Sequence, residues 1–326
     1  MGGYGHAARV DSDEPLLDPS FLSRLEKLAL EWRDRFAGPG GGSRTSRHRG
    51  AGQEFFEHRH FCSGDDLRAV NWRAYMRFET LFLKTFQLEP RVPIRLLLDA
   101  SASMTAGGAD DRFSSSAAAR QTTNLDGLPH EPTKFDYARR LAAALTYIGL
   151  VQLDSILLQP FSDRLLVPEM ASGGRQRFAA AEKCLRGLHA AGRTDFLAVA
   201  REFLDRYPQR GLAIVISDFL EDSGTLRPLQ YIAAAGHELM LVQIWSEEER
   251  RPTGDGDFEL IDAESGAILK IALDKTSRQA YTDAFDRHER EVRELALRNG
   301  GRHAAIHTGM PIEQAVFGPL ALRRKS

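Results

Sequence analysis

The chain alternates between short apolar runs and segments whose apolar residues recur every three or four positions. That is the pattern of strands buried in a parallel sheet and of helices packed against it. Val92 to Asp99 reads V-P-I-R-L-L-L-D, a largely apolar run that ends in a carboxylate and carries its proline at the start, where a strand tolerates one. Gly211 to Asp218, G-L-A-I-V-I-S-D, has the same form. Ser155 to Pro160, Glu238 to Ile244 and Arg302 to Ile306 supply further strands, and Phe258 to Ile261 with Ala267 to Ile271 makes a hairpin. Helical spacing covers Tyr137 to Val151, Arg175 to Leu188, Phe196 to Arg206, Pro228 to Ala235 and Gln279 to Arg298. The repeated alternation predicts an α/β fold over residues 92–309: a doubly wound, mostly parallel sheet with helices on both faces.

Upstream, residues 1–18 form a polar leader, and residues 19–91 predict a helix followed by a small β-rich module. The helix rests on Phe21, Leu22, Leu25, Leu28, Leu30 and Trp32 and ends at the glycine run from Gly38. Glu54 to Phe61 and Thr80 to Leu88 have the aromatic, alternating pattern of strands. The glycine run follows a helix and lacks the Lys-Ser/Thr ending of a phosphate-binding loop, so nucleotide binding is not expected there. Met104 to Pro132, rich in Gly, Ser, Ala and Asp, is expected as a long loop, either a lid or a tolerated insertion. Residues 310–326 are expected as a C-terminal tail.

Charge narrows the classes of partner. With 43 basic and 45 acidic side chains there is no net field to attract nucleic acid or an anionic membrane. No stretch has the roughly 18 apolar residues of a membrane span, and the first residues lack the hydrophobic core of a secretory signal, so a cytoplasmic location is expected. Cys62 and Cys184 offer neither a disulfide framework nor a C-x-x-C motif. His58, His60 and Cys62 alternate along one strand, yet zinc would need a fourth ligand that the sequence does not offer.

The chemistry gathers at strand ends. In an open α/β sheet the carboxyl ends of strands face a common crevice, where Asp99 and Asp218 both belong. Ser101 and Ser103 follow Asp99 at alternate positions, and Thr194 in G-R-T-D lies in another candidate loop. Two carboxylates and three hydroxyls are hard oxygen donors suited to Mg2+, with Mn2+ or Ca2+ as substitutes, better than to zinc or copper. Such a set leaves a coordination position open for a carboxylate from a protein partner. The bland reading is that these residues cap a helix and satisfy turn amides.

This D-x-S-x-S segment, with the later Thr194 and Asp218, resembles the metal-ion-dependent adhesion site of von Willebrand A domains. The resemblance implies that Ser101, Ser103 and Thr194 touch the metal while Asp99 and Asp218 act through water. Upstream, R-H-F-C-S-G-D-D-L-R-A-V-N-W-R resembles the signature of the bacterial domain-of-unknown-function family fifty-eight, through Arg59, Phe61, Gly64, Asp65, Asp66, Arg68, Trp72 and Arg73. It continues through S-R-H-R-G at Ser46, K-T-F at Lys84, S-D-F at Ser217 and I-D-A-E-S-G at Ile261, and departs at Asn71, where the family often has Asp, and at Ser265, where Thr is common. Arg68 and Arg73 could bind an anion or a protein, or could pair with Asp65 and Asp66 in an internal network.

The family resemblance implies a non-enzymatic binding adaptor that works with a MoxR-type AAA+ ATPase in assembling or activating other proteins. A metal-dependent phosphohydrolase is the rival, but Asp99 lacks a D-x-D-x-T context and no nucleophile with a base is legible. A metal-independent scaffold is the third reading.

Overall fold

The structure, a computed structural model, describes residues 15–36, 49–50, 54–60, 70, 72–87, 93–106, 132–151, 155–220, 226–254 and 256–320. Contacts divide the chain into two units, residues 37–92 and residues 1–36 together with 93–326. The smaller unit contains β1 (Arg49–Gly50), β2 (Glu54–His60), α2 (Trp72–Phe78) and β3 (Phe82–Gln87), with the strands in the antiparallel order β1-β3-β2. A register shift between Phe55 and Glu57 marks a bulge in β2. Of the signature residues, Arg59 lies on β2 and Trp72 and Arg73 open α2. Phe61, Gly64, Asp65, Asp66, Arg68 and Asn71 lie outside the described residues, as do Cys62, the glycine run at Gly38 and the 107–131 part of the long loop.

The larger unit begins with α1 (Pro19–Phe36) and resumes at β4 (Ile94–Asp99), followed by a short 3-10 turn at Ala102–Thr105. Then come α3 (Lys134–Val151), β5 (Ile156–Phe161), β6 (Glu169–Ala171), α4 (Phe178–Gly187), α5 (Phe196–Arg206) and β7 (Leu212–Ser217). The chain continues through α6 (Arg227–Ala234), β8 (Glu238–Trp245), α7 (Glu247–Arg250), β9 (Gly256–Ile261), β10 (Ile268–Leu273), α8 (Lys275–Arg298), β11 (Arg302–His307) and α9 (Ile312–Phe317). Six strands form one sheet in the order β11-β8-β7-β4-β5-β6, parallel except for β6. The doubly wound α/β fold expected from the sequence is present, and β9 with β10 forms the expected hairpin outside that sheet.

Alternating side chains assign each sheet face its own core. Leu96 and Leu98 of β4, Ile214 and Ile216 of β7, and Met240, Val242 and Ile244 of β8 pack with α1, α3, α4 and α9. Leu97, Ala213, Val215, Leu239 and Leu241 point the other way and pack with α5, α6 and α8. This two-sided burial is why the strand sequences are continuously apolar.

Four features differ from the sequence expectation. Met104, expected to begin a mobile loop, is wholly buried in the first core. The expected tail contains α9, whose Ile312, Ala315 and Val316 share one helical face in that same core. The edge strand β6 was not anticipated, because three residues carry too little pattern. Finally α1, grouped by the sequence with the β-rich module, packs in the larger unit: Leu17, Phe21, Leu25 and Ala29 are buried in the first core, and Glu26 accepts a 2.6 Å hydrogen bond from Tyr147 of α3.

Leu25→Ala is therefore expected to destabilise the α/β unit by about 2–5 kcal/mol, the cost of a cavity in a well-packed core. Urea denaturation followed by far-UV circular dichroism checks it; a loss below about 0.5 kcal/mol, typical of a surface change, would place α1 outside the core.

Candidate functional site

Asp99 ends β4, which lies between β5 and β7. The chain leaves β4 toward β5 on one side and later returns to β7 on the other, so Asp99 stands at the switch point where open α/β sheets form their crevice. Its carboxylate is fully buried. One oxygen accepts the Ser101 N–H at 2.9 Å and the other accepts the Ser217 hydroxyl at 2.5 Å, which fastens the turn after β4 to the end of β7. That turn brings the Ser101 and Ser103 hydroxyl oxygens within 2.9 Å of each other.

Two backbone bonds hold the next loop against this turn: the Ala191 N–H donates to the Ala100 carbonyl at 2.8 Å, and the Ala102 N–H donates to the Gly192 carbonyl at 2.9 Å. Thr194 follows, buried, just before Asp195, whose side chain caps α5 by accepting the Ala198 N–H. Asp218 follows β7. One of its carboxylate oxygens accepts the Leu220 N–H at 3.0 Å and the other accepts the Lys134 ammonium at 2.7 Å. All five residues singled out from the sequence lie at the same end of the sheet, near enough for the charges of Asp99 and Asp218 to repel.

Three charged residues join them that the sequence reading did not place there. Lys134, the first residue of α3, is buried and also pairs with Glu249, which completes the capping box of α7. Burial alone would lower the Lys134 pKa; the charges of Asp218 and Glu249 outweigh it and hold the ammonium above its usual range. Glu264, at the tip of the β9–β10 hairpin, accepts the N–H and the hydroxyl of Thr194, each at 3.2 Å, and a hydrogen bond from Ser103. The only sequence signal for Glu264 is its place in the I-D-A-E-S-G motif.

Four carboxylates thus gather at this end of the sheet, and two of them, Asp218 and Glu249, pair with the Lys134 ammonium. Burial, with the Asp218 charge added, pushes the Asp99 carboxyl up to about 7 despite the hydrogen bonds from Ser217 and Ser101. Burial likewise raises Glu264, against the opposing bonds from Thr194 and Ser103. A cation placed here would relieve that repulsion. Among the described residues no three His, Cys, Asp or Glu side chains gather closely enough to hold a metal alone. A hard cation would therefore need the serine and threonine hydroxyls and water, and these are the donors the turn presents.

Residues 114–291 match the family described as "Protein of unknown function DUF58". The chain belongs to the DUF58 family. Among relatives of this DUF58 chain, the uncharacterized protein Rv1480 of Mycobacterium tuberculosis is 27% identical over 281 residues, covering 84% of this chain and 81% of the relative. The uncharacterized protein MAV169 of Mycobacterium avium is 34% identical over 97 residues, 29% of this chain and 57% of the relative. Similar solved structures include the conserved hypothetical protein BatB of Bacteroides thetaiotaomicron (TM-score 0.41, 16% identity, covering 71% of this chain and 98% of that one). The SpRpn10 VWA domain has a TM-score of 0.35 with 12% identity, covering 69% of this chain and 94% of that one. The strand order of this DUF58 chain, with the antiparallel edge strand β6, is that of a doubly wound, mostly parallel α/β sheet. No described helix is long and apolar enough to cross a membrane.

Two outcomes follow from the electrostatics. Because folding raises the Asp99 pKa, the protonated form favours the fold: that contribution is in place below the unfolded value of about 4 and is gone once the pH has passed about 7. In chelator, stability should fall across this window by up to about 1.4 kcal/mol per pH unit, and Asp99→Asn should flatten the slope in urea titrations. Lys134→Ala leaves Asp218 and Glu249 facing each other uncompensated and should cost about 3–5 kcal/mol, read from the shift in urea midpoint at pH 8.

Proposed function

We propose that this chain is a non-enzymatic, metal-dependent protein-binding adaptor of the cytoplasm that works with a MoxR-type AAA+ ATPase in assembling or activating other proteins. Mg2+, or Mn2+ or Ca2+ in its place, would be held by Ser101, Ser103 and Thr194, with Asp99 and Asp218 acting through water. The ion supplies a Lewis-acidic contact for an acidic side chain of the partner protein.

The observation that carries this reading is the convergence of three hydroxyls and two aspartates at the switch point of the sheet. Both oxygens of Asp99 and both of Asp218 already accept a hydrogen bond from the chain, which suits them to orient water and leaves direct contact to the hydroxyls. The rival, hydrolysis, finds less support. The hydroxyls of Ser101 and Ser103 face each other, and neither has a histidine partner among the described residues to act as a base. The near-balance of charge favours no nucleic-acid partner, and DUF58 membership and the von Willebrand A-like fold favour a protein.

Magnesium at about one hundred times its dissociation constant should stabilise the wild type by about 2.7 kcal/mol, seen as a higher thermal midpoint, and Thr194→Ala should lose most of that shift. Capture from native extract by wild type and Asp99→Asn, each with magnesium or chelator, then tests the function. Partners held only by the wild type with magnesium, a MoxR-type ATPase among them, support it. Identical capture in all four conditions overturns it.

A further inference from the structure

The tip of the β9–β10 hairpin is built to present one side chain. Asp262 folds it: its carboxylate accepts the N–H groups of Glu264 at 2.7 Å and Ser265 at 3.2 Å and the Ser265 hydroxyl at 2.7 Å. The Asp262 carbonyl accepts the Gly266 N–H at 2.9 Å, with Gly266 in the left-handed region at φ 71°. Every polar side chain of the turn is thereby consumed within it except Glu264, which reaches back to Thr194 and Ser103. Those are two of the three hydroxyls assigned to the metal.

The Thr194 side of this contact is fixed. Its loop is bonded to the Ala100–Ala102 turn on one flank and begins α5 on the other, and the Asp195 N–H donates to the Ser162 carbonyl at 3.2 Å. The hairpin side is looser. β9 and β10 pair only with each other, and most of their residues are exposed or half-buried. Among the described residues Glu264 forms no ion pair, so no cation of the chain accounts for bringing its carboxylate to a site that already holds Asp99 and Asp218.

We propose that Glu264 is the site's own carboxylate ligand, filling the coordination position that a partner's acidic residue takes over when it docks. This rests on the metal reading above and adds its regulation: the resting site is closed by the hairpin, and partner engagement is an exchange of one carboxylate for another. The partner's apparent affinity is reduced by the fraction of molecules in which Glu264 occupies the position. Glu264 is tethered, so its effective concentration at the site is at least in the millimolar range, and a stray carboxylate metabolite does not open the site.

The test measures Mn2+ binding to the full chain by loss of the free-ion paramagnetic resonance signal, for wild type, Glu264→Ala and Glu264→Gln. Each is measured with and without about 50 mM acetate at matched ionic strength, acetate standing in for the missing carboxylate in excess of a millimolar effective concentration. Both variants should bind Mn2+ about tenfold or more weakly than wild type, at least the loss that removing an outer-shell partner of a metal ligand produces. Acetate should close most of that gap while leaving the wild type unchanged, a rescue that a purely structural hairpin anchor would not give. Wild-type affinity in both variants, or a loss that acetate does not recover, overturns the proposal while the metal reading stands. No Mn2+ binding by the wild type overturns the metal reading and this proposal with it.

Discussion

The two hydrogen bonds accepted by Asp99 are the constraint on which the site depends. One turns the chain sharply after β4 and sets the serine hydroxyls side by side; the other ties that turn to the end of β7, so the next strand's aspartate arrives at the same crevice. A carboxylate at the end of a central strand, shut away from water, is costly unless its lone pairs are used. Here the groups that use them are the same ones that shape the turn, so the polar cost of burial and the geometry of the site are a single problem with one solution.

Charge sets the second condition. Lys134 stands between Asp218 and Glu249 with no described route to solvent, and it fixes the start of α3 relative to β7 and α7. Among the described residues its ion pairs reach only Asp218 and Glu249; Asp99 and Glu264 are pushed up chiefly by their burial, with the Asp218 charge adding to it. Fold and function pull in opposite directions at this spot: a chain optimised for stability alone would place apolar or neutral side chains there.

Most of the sheet was legible because its inner strands are buried on both faces and so read as largely apolar runs. β4, β5, β7 and β8 follow from that one feature, whereas the edge strand β11 shows only alternating burial. Short elements escaped, β6 and α9 among them, since three to six residues hold too little periodicity to distinguish them from loop. The apolar stripe of α1 announced a helix but not the surface it covers; its bond to Tyr147 joins positions 121 residues apart. The site divided along the same line. Asp99, Ser101 and Ser103 share one local motif, and Asp218 ends a second apolar run, so pattern alone could find them. Lys134 meets Asp218 across 84 residues and Glu249 across 115, and Glu264 meets Thr194 across 70. No local spacing carries those pairings.

Phe219, directly after Asp218, has its backbone at φ 59°, a conformation that L side chains seldom adopt. Its ring stacks on Phe196, and its carbonyl accepts a 3.1 Å hydrogen bond from His288 Nε2 of α8. That helix starts two residues after β10 ends, behind the Asp274 cap. Glu264 and Asp218 are therefore joined by two routes, one across the site through the hydroxyl groups and one around it through a rigid rod, with roughly 20 Å of helix between Lys275 and His288. The hairpin, the helix and the strained residue form a closed mechanical ring. A displacement of the hairpin from Thr194 would therefore load the Asp274 cap at one end of α8 and the backbone beside Asp218 near its middle.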